Sequence, residues 1–403
     1  MKVLVLNAGS SSQKSCLYDL NESLPIDPPH PLWEAQIDWT VQSGKAVLKI
    51  KANGKKIEQT IDSSDRATDT QQMLKTLFEG ETKVIQHKSE IDIVGHRIVH
   101  GGQQHRQSTL IDRSVKETIQ DLARFAPLHN PANLQGIEAI EQSLGDVPQV
   151  AVFDTAFHST LSPEASIYPI PYEWYEQGVQ RYGFHGISHQ YCANRAAQLL
   201  ERELNSLKLV TCHLGNGCSL AAIRNGQSID TTMGFTPLEG LMMGSRSGSI
   251  DPGVVLYLMR EGHYSIDELE KLLNKQSGLL GISGVSSDLR QVLNANTEQS
   301  KLAIDTYIHR LRSHIGAMIA SLEGVDAIVF TAGVGENSAM IRSRTCEAFG
   351  WLGIEIDQAK NEASPVDQDI AMSSSKVRVL VIHTEEDWAI AQDCWKIAQS
   401  TFL

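Results

Sequence analysis

The chain has 403 residues, of which 41% are hydrophobic and 21% charged, and its formal net charge at pH 7 is −13. This length exceeds what one hydrophobic core supports and predicts about two to three domains. The acidic charge, with no long run of Lys or Arg, argues against nucleic acid or an anionic membrane as a partner. An anionic ligand would need positive charge gathered at its own site.

The cysteines and the N-terminus bear on the compartment. No C-x-x-C pair occurs, and the six cysteines lie inside apolar patterns: Cys16, Cys192, Cys212, Cys218, Cys346 and Cys394. This fits buried thiols in a reducing compartment better than disulfides or zinc. Only four apolar residues separate Lys2 from Asn7, too few for a signal peptide, and no apolar run reaches membrane-spanning length. We therefore expect a cytoplasmic protein.

The first part of the chain opens with two strand patterns around a small polar turn. Apolar strands are predicted at 3–6 and 15–18, with the turn Asn7-Ala8-Gly9-Ser10-Ser11-Ser12 between them. The later patterns predict a hairpin over 33–61 that decorates the surface, helices at 67–78, 114–125 and 131–144, and strands at 91–99 and 150–153. Asn130 is the expected N-cap of the third helix, with Pro131 at its first position.

The second part repeats the strand, turn and strand pattern at 209–220, around His213-Leu214-Gly215-Asn216-Gly217. Asn-Gly is a strong hairpin signal, so an ordinary hairpin is one interpretation. Gly215 and Gly217 would also permit positive φ and leave the backbone N–H groups open to an anion, which is the other. Later patterns predict helices at 188–200, 252–260, 266–273, 301–322 and 387–398, and strands at 327–330 and 377–382.

Strands that alternate with helices, with glycine turns after the strands, predict an α/β architecture with ligands at the strand ends, in a crevice between two halves. The two strand–turn–strand units suggest a duplication. We place the boundary at Asp154. The first domain comprises 1–153 plus 386–403, with the last helix crossing back, and the second comprises 154–385.

Several nucleotide motifs are absent from the sequence. Neither G-x-x-x-x-G-K-[ST] nor the H-R-D and D-F-G set occurs, which excludes an ordinary P-loop and a protein kinase. Gly333-x-Gly335 lacks the third glycine of a dinucleotide fingerprint. It is either a generic tight turn or, because it follows a strand and precedes a helix, a contact for adenosine or phosphate.

Basic and acidic side chains gather at strand ends. The basic groups are Arg97 with His96 and His100, Arg181 with His185 and His189, and Arg246 between Gly244 and Gly248. Arginine suits carboxylate or phosphate oxygens, although surface ion pairs and a core histidine are alternatives. Asp154 and the run 385–387 follow strands and supply the oxygen ligands that Mg²⁺ takes, although a helix-capping role explains at least one of them.

Longer motifs resemble the acetate kinases of the acetate and propionate kinase family, within the sugar kinase, heat-shock chaperone and actin superfamily. The resemblance runs nearly end to end. Besides the two turns around Asn7 and Asn216, the matching segments are 95–102 (GHRIVHGG), 126–131 (APLHNP), 153–158 (FDTAFH), 181–186 (RYGFHG) and 234–240 (GFTPLEG).

The resemblance implies two actin-like, ribonuclease H-like domains with a duplicated βββαβα-type core and an interdomain active-site cleft. It also implies a homodimer that transfers the γ-phosphoryl group of ATP to acetate, reversibly and directly in line, giving acetyl phosphate and ADP. Mg²⁺ would be the metal, with Mn²⁺ as an alternative. The chemistry agrees, because a carboxylate is already ionised at pH 7 and needs no strong base. It needs placement and charge neutralisation, for which arginine, a histidine donor and Mg²⁺ are suited.

Site roles carry over from the resemblance by motif. The catalytic set is Arg97, His129, Asp154, His185 and Arg246, in which the arginines bracket the substrate carboxylate and the phosphoryl group and His185 stabilises the transition state. Val99, Leu128, Phe184 and Pro237 would wall the methyl pocket. The nucleotide contacts are Asn7, Lys14, His213, Gly215, Asn216, Gly217, Asp288, Leu289, Arg290, Gly333, Val334, Gly335 and Asn337. Asn7 and Glu386 would serve the metal, which Asp154 helps to organise.

Two positions depart from the family pattern. Ser249 stands where many members have Asp, and Glu385 stands where Asn commonly precedes the metal-organising Glu. Neither change removes a catalytic group. A kinase for propionate or butyrate remains an alternative, because a hydrophobic pocket discriminates one methylene by only about 1–3 kcal/mol. A non-catalytic, actin-like or chaperone-like ATP switch is the alternative from another class, but it has no use for Arg97 and Arg246 around a small carboxylate.

Overall fold

The computed structural model describes residues 1–9, 12–127 and 129–402, and it has two compact units. The first unit comprises Met1–Ala156 and Glu385–Leu403, and the second comprises Phe157–Thr384. Each unit contains one mixed β-sheet with helices packed on it. Among the described residues, no helix is both long and apolar enough to span a membrane.

The elements of the first unit belong to an eight-stranded sheet and its helices. The strands are β1 Lys2–Ala8, β2 Ser12–Asp19, β3 Trp33–Gln42, β4 Lys45–Ala52, β5 Lys55–Asp62, β6 Ile93–Ile98, β7 Thr109–Leu110 and β8 Gln149–Phe153. The helices are α1 Arg66–Lys75, α2 Arg113–Asp121 and α3 Asn130–Leu144, joined by the C-terminal helix Glu386–Phe402. The strand order is β5-β4-β3-β2-β1-β6-β8-β7, with β1, β6 and β8 parallel.

The second unit has a six-stranded sheet. Its strands are β9 Lys208–Leu214, β10 Cys218–Arg224, β11 Gln227–Thr231, β12 Ala327–Thr331, β13 Gln368–Asp369 and β14 Arg378–Val381, in the order β11-β10-β9-β12-β14-β13. Its helices are α4 Pro163–Ser166, α5 Tyr172–Glu176, α6 Gly186–Leu199, α7 Pro252–Arg260, α8 Ile266–Lys275, α9 Gly278–Ser283, α10 Leu289–Ala295, α11 Glu298–Leu322, α12 Ala332–Asn337, α13 Ala339–Glu347 and α14 Gln358–Glu362. The C-terminal helix is therefore α15.

The two sheets share one internal topology. In each, three consecutive antiparallel strands (β1 to β3, β9 to β11) are followed by two strands parallel to the first of them (β6 and β8, β12 and β14). The first hairpin of each sheet carries one of the two small polar turns noted in the sequence. The repeated pattern supports the prediction of a duplicated core.

Helices cover both faces of the first sheet at its centre. Leu4, Leu6 and Val94 share a buried cluster with Ile140 of α3. Gly95, the next residue of β6, faces α15, where an added Cβ would lie 2.5 Å from the Cys394 Sγ atom. Successive side chains of a strand point to opposite faces, so the centre of the sheet is buried between two helices, and residues 3–6 of β1 form an unbroken apolar run. Gly95 therefore lets α15 approach β6 closely at Ile390 and Cys394.

Several sequence predictions need correction. The segment 33–61 forms three strands that continue the main sheet, with Trp33 and Ile37 fully buried, and is not a surface decoration. Asn130 does not cap α3, since His129 holds the N-cap position and the Asn130 amide donates to the carbonyls of His100 and Ile119. Gly215 and Gly217 do not adopt positive φ.

Candidate active site

In the first unit, Arg97 and Asp154 form an ion pair at the ends of two neighbouring parallel strands. Arg97 lies near the end of β6, and Asp154 directly follows β8, where its N–H donates to the Ile98 carbonyl. The Arg97 Nε atom lies 3.0 and 3.1 Å from the two carboxylate oxygens of Asp154, whose side chain is 2% exposed. Burial opposes charge on Arg97, but Asp154 and Glu386 outweigh it and raise the Arg97 pKa above its ordinary value.

Asn7 connects this pair to two further carboxylates. The Asn7 Oδ1 atom accepts from Arg97 at 3.4 Å, and its Nδ2 atom donates to Glu386 at 3.2 Å and to Asp387 at 2.9 Å. Glu386 and Asp387 are the first residues of α15. Burial raises the pKa of Asp387, and the neighbouring Glu386 charge acts in the same direction. The Asn7 amide therefore holds the carboxylates of Glu386 and Asp387 together, and Arg97 connects it to Asp154.

These oxygens fit a hard divalent cation. Among the described residues, no three His, Cys, Asp or Glu side chains are close enough together to hold a metal without other ligands. Mg²⁺ does not require such a cage, because it binds through one or two carboxylates and completes its shell with water and substrate phosphate. Glu386 and Asp387, which both accept from the Asn7 amide, are the side chains that would hold it.

The remaining first-unit predictions lie around the same strand ends. Val99 follows β6, is buried, and donates its N–H to Asn133. Lys14 is opposite Asn7 in the β1–β2 pair and is exposed. His129 immediately precedes α3 and is half-buried. Leu128, the predicted wall of the methyl pocket, lies outside the described residues, as do Ser10 and Ser11 of the first turn.

In the second unit, His185, Gly217 and Arg246 form a group that we call the cradle. A Cβ atom built on Gly217 would lie 3.5 Å from His185 Cε1 and 3.6 Å from Arg246 Nη1. Gly217 thus leaves open a space bordered by an imidazole edge, a guanidinium and the backbone of the β9–β10 turn. The glycine keeps this space clear of a side chain and does not adopt unusual backbone angles. The hairpin interpretation is also correct, since β9 and β10 are antiparallel neighbours.

The conformation of His185 is imposed by its surroundings. It is the N-cap residue of α6 and has φ 58° and ψ 24°, the left-handed region that a residue with a side chain rarely occupies. Its ring stacks on His213 with centroids 4.2 Å apart, and its Nδ1 atom lies 2.9 Å from Ser219 Oγ. His213 Nδ1 lies 2.8 Å from Ser188 Oγ. The imidazole is therefore held on two sides.

Arg246 is presented by a loop with many backbone hydrogen bonds. The loop N–H groups of Gly244 and Ser247 donate to Asn216 and Leu273, and Arg246 Nη1 donates to the Pro237 carbonyl at 3.1 Å. Burial lowers the Arg246 pKa, yet a guanidinium stays charged in proteins. Pro237, a predicted wall of the methyl pocket, is therefore tied directly to this arginine.

Ser249 closes the base of the Arg246 loop. Its Oγ atom accepts from Gly240 N–H at 3.0 Å, and its own N–H donates to the Gly240 carbonyl at 2.9 Å. The departure from the family pattern at this position thus retains a side-chain acceptor for the Gly240 N–H.

Arg181 has a structural role. It pairs with Glu239 at 2.6 Å and donates to the carbonyls of three consecutive residues, 231–233. The Tyr168 hydroxyl donates to the other Glu239 oxygen and accepts from Phe235 N–H. Arg181 therefore clamps the segment before Pro237, in agreement with the ion-pair alternative.

The predicted adenosine contacts belong to two helices, α10 and α12. Asp288 caps α10 and pairs with the exposed Arg290, while the neighbouring Leu289 is buried. Gly333 to Asn337 belong to α12, which follows β12 directly. Gly333-x-Gly335 is therefore helical and not a tight turn, and the positive φ of the connection, 64°, falls on Ala332. Gly333 is exposed with open space around its Cα atom, and Asn337 donates to its carbonyl at 2.9 Å.

Comparisons with known proteins agree over almost the whole chain. The sequence model of the Acetokinase family matches residues 2–392. The chain belongs to the acetokinase family. It is 62% identical over 399 residues to a protein named acetate kinase from Gloeothece citriformis, with 98% of each chain covered.

Solved structures of this family share the fold. The acetate kinase of Porphyromonas gingivalis is 40% identical, with a TM-score of 0.90 over 98% of this chain and 99% of that one. A propionate kinase from Francisella tularensis is 37% identical, with a TM-score of 0.88 and the same coverage. The predicted α/β class with two actin-like sheets is confirmed by these matches.

Sequence reasoning missed several polar residues around the acetokinase site. Asp387 was considered only within an acidic run, although it shares the Asn7 amide with Glu386. Ser219 and Thr211 fall within predicted apolar strands. They are detectable because each is a hydroxyl residue inside a strand whose residues are buried, apart from Lys208 and Arg224 at the strand ends. Buried hydroxyls require hydrogen-bond partners, and histidines provide them here.

Proposed function

We propose that the chain is an acetate kinase, which transfers the γ-phosphoryl group of ATP to acetate, reversibly and with Mg²⁺. Family membership over residues 2–392 and 62% identity to a protein named acetate kinase support this activity. The observation that carries the chemistry is the cradle, where His185 and Arg246 border the space over Gly217. Its groups provide hydrogen-bond donors and positive charge, which a transferring phosphoryl group needs.

In the proposed reaction a carboxylate oxygen of acetate attacks the γ-phosphorus, and the bond from that phosphorus to the bridging oxygen of ADP breaks. Arg246 and His185 stabilise the charge on the transferring group. Arg97 binds the acetate carboxylate, and Asp154 orients Arg97 through its bidentate ion pair. No side chain must remove a proton, because acetate is already ionised at neutral pH. Mg²⁺, held by Glu386 beside the Asn7 side chain, would neutralise phosphate charge when it is bound.

The nucleotide is proposed to contact both polar turns. Asn7 and Lys14 of the first unit, and His213 with the 215–217 turn of the second, are the proposed phosphate contacts. The adenosine end would meet Asp288, Leu289 and Arg290 and the exposed surface of α12 around Gly333 and Asn337. The open space at Gly333 supports this role, since a planar base can lie against a glycine without meeting a side chain.

The activity is tested by incubating purified protein with ATP, Mg²⁺ and acetate in the presence of hydroxylamine. Acetyl phosphate would be trapped as a hydroxamate at the rate at which ADP forms. ADP formation without hydroxamate would support an ATP switch instead. The values of kcat/KM for acetate, propionate and butyrate then decide the substrate, and we expect acetate to have the highest.

We also infer that the protein forms a homodimer through α7. This helix has no buried residue, and four of its apolar side chains are exposed: Val254, Leu256, Tyr257 and Met259. Soluble monomers rarely expose an apolar patch of this kind, whereas the interfaces of homodimers are apolar. The four side chains are uncharged, and Arg260 at the end of α7 is the only charged residue of the helix, so a second copy could cover the patch despite the net charge of −13. A second copy is the proposed occupant.

The dimer is tested by light scattering coupled to size-exclusion chromatography. We expect a mass near twice that of the 44.4 kDa chain and a monomer for Leu256→Glu. Ile26→Glu, which alters a residue that is 77% exposed in the first unit, is the matched control and should remain dimeric. A monomeric wild-type protein would contradict the inference.

A reducing, cytoplasmic location is proposed from the cysteines. All six are buried, and no disulfide joins any of them in the part of the chain that the structure describes. Thiols in these numbers outside disulfides are typical of a compartment that keeps them reduced.

A further inference from the structure

A row of hydrogen bonds lies behind His185, on the side away from Gly217. Ser219 Oγ is 2.9 Å from His185 Nδ1 and 2.7 Å from His189 Nε2. His189 Nδ1 is in turn 2.7 Å from Thr211 Oγ1. Ser219, His189 and Thr211 are completely buried. One hydroxyl therefore stands between two imidazoles, and a second hydroxyl ends the row.

The elements of the second unit make this row rigid. His185 and His189 are four residues apart, so they lie on one face at the start of α6. Ser219 and Thr211 belong to the paired strands β10 and β9. The His185 ring also stacks on His213. A helix and a hairpin thus hold four polar side chains in a fixed order.

The number of protons allows only a few arrangements. Burial holds the pKa of His189 well below its ordinary value, so this ring is neutral and carries a single N–H. The Ser219 hydroxyl has one hydrogen and can donate it to only one of its two neighbours. If Ser219 donates to His185, then His189 donates to Ser219 and Thr211 donates to His189. If Ser219 donates to His189, then His185 must carry its proton on Nδ1.

The two arrangements differ at the edge of His185 that faces the cradle. In the first, His185 is neutral with its proton on Nε2, so a donor borders the space over Gly217. In the second, neutral His185 presents a lone pair there, and a donor appears only if the ring is charged. Arg246 borders the same space, and its positive charge disfavours a second cation. A phosphoryl oxygen would be repelled by a lone pair.

We propose that Ser219, His189 and Thr211 are positioning residues that fix His185 as the neutral tautomer with its proton on Nε2. The inference deepens the proposed phosphoryl transfer and rests on it for its catalytic consequence. Ser219 donates to Nδ1, which leaves the Nε2 proton as a donor aimed into the cradle. The donor is set before substrate binds, so no proton has to move when the phosphoryl group arrives.

The tautomer is measured directly by nitrogen NMR on the full-length protein labelled with ¹⁵N-histidine. His185 is assigned by the loss of its signals in His185→Gln. We expect the wild-type spectrum to show a protonated Nε2 and an unprotonated Nδ1 in the resting protein, and Ser219→Ala to show a mixture of both tautomers. This measurement needs no turnover, so it stands even if the proposed activity is absent.

The kinetic test compares Ser219→Ala with a matched control. Ser228→Ala removes another buried serine that bonds a buried histidine, since Ser228 Oγ lies 2.7 Å from His158 Nδ1. Both variants should lose similar stability. Only Ser219→Ala should lose kcat, by roughly 10–100-fold as for other orienting partners, with the KM values for ATP and acetate changed less than about twofold.

A conservative replacement separates positioning from packing. The side-chain amide of His189→Gln can reach Ser219 Oγ and donate to it, whereas His189→Met fills similar volume without a donor. We expect His189→Gln to keep most of kcat and His189→Met to lose it as Ser219→Ala does. A wild-type His185 protonated on Nδ1, or equal kcat values for Ser219→Ala and Ser228→Ala, would overturn the proposal.

Discussion

Replacing Gly217 with alanine should abolish activity while leaving the fold intact. The φ of Gly217 is outside the positive region, so alanine can adopt the backbone without strain. The new methyl group would lie 3.5–3.6 Å from the nearest atoms of His185 and Arg246. These are ordinary van der Waals distances, so no neighbour must move. The methyl group would nevertheless fill the space that a phosphoryl oxygen needs in order to approach the two donors.

The expected magnitudes follow from that geometry. Loss of glycine freedom in the unfolded chain should stabilise the fold by about 0.4–1 kcal/mol. The loss of one or more aligned donors should reduce kcat/KM by at least about 100-fold. The two effects have opposite signs, so general damage to the protein cannot imitate them.

The assay combines urea unfolding with the hydroxamate rate. Gly316→Ala is the matched control, because Gly316 lies within α11 of the same unit and an added Cβ meets nothing within 4 Å. It should be more stable by up to about 1 kcal/mol, with unchanged activity. Activity of Gly217→Ala within threefold of wild type would refute the assignment of this space to the phosphoryl group.

Three further predictions concern the charged and titratable groups. Asp154→Ala leaves Arg97 without its bidentate partner. The free energy of unfolding measured in urea should fall by about 3 kcal/mol, and the KM for acetate should rise. An unchanged urea midpoint would show that the ion pair does not stabilise the fold. Burial lowers the pKa of His158 from 6.5 to about 4, so the folded state binds fewer protons between these values. The contribution of His158 to the free energy of unfolding should therefore be fully present above pH 6.5 and fall as the pH drops towards 4, by roughly 2 kcal/mol at pH 5. His158→Gln should lose less of its free energy of unfolding over the same pH range. A His158 that titrates near pH 6.5 by NMR would contradict this prediction. Glu386→Gln should raise the Mg²⁺ concentration needed for half-maximal rate by about tenfold or more while the far-ultraviolet circular dichroism stays the same; an unchanged Mg²⁺ dependence would remove Glu386 from the metal site.

The sequence predicted the strands and helices well where apolar periodicity was strong. The strand at 150–153 and the helix at 252–260 agree with β8 and α7 to within a residue. The prediction that segment 33–61 decorates the surface was wrong. Alternation of apolar and polar residues identifies a strand, but it does not reveal which strand pairs with it in the sheet. Long-range pairing of β3 with β2 decides that, and single-sequence patterns carry no such information.

The candidate site was predictable where a long motif marked it and less so where chemistry depends on contacts distant in sequence. Arg97 and Asp154 were identified separately, but their ion pair arises only because β6 and β8 are neighbours in the sheet. Ser219 and His189 each look like ordinary core residues in their own segments. Their role emerges only when α6 packs beside the β9–β10 hairpin.

The most direct test of the account measures hydroxamate formed from ATP, Mg²⁺ and acetate by wild-type protein and by Gly217→Ala, with Gly316→Ala in parallel. We expect rapid trapping by the wild-type protein and by Gly316→Ala, and a rate at least about 100-fold lower for a fully folded Gly217→Ala. Absence of hydroxamate from the wild-type protein, with ATP hydrolysis retained, would contradict the proposed phosphoryl transfer to acetate.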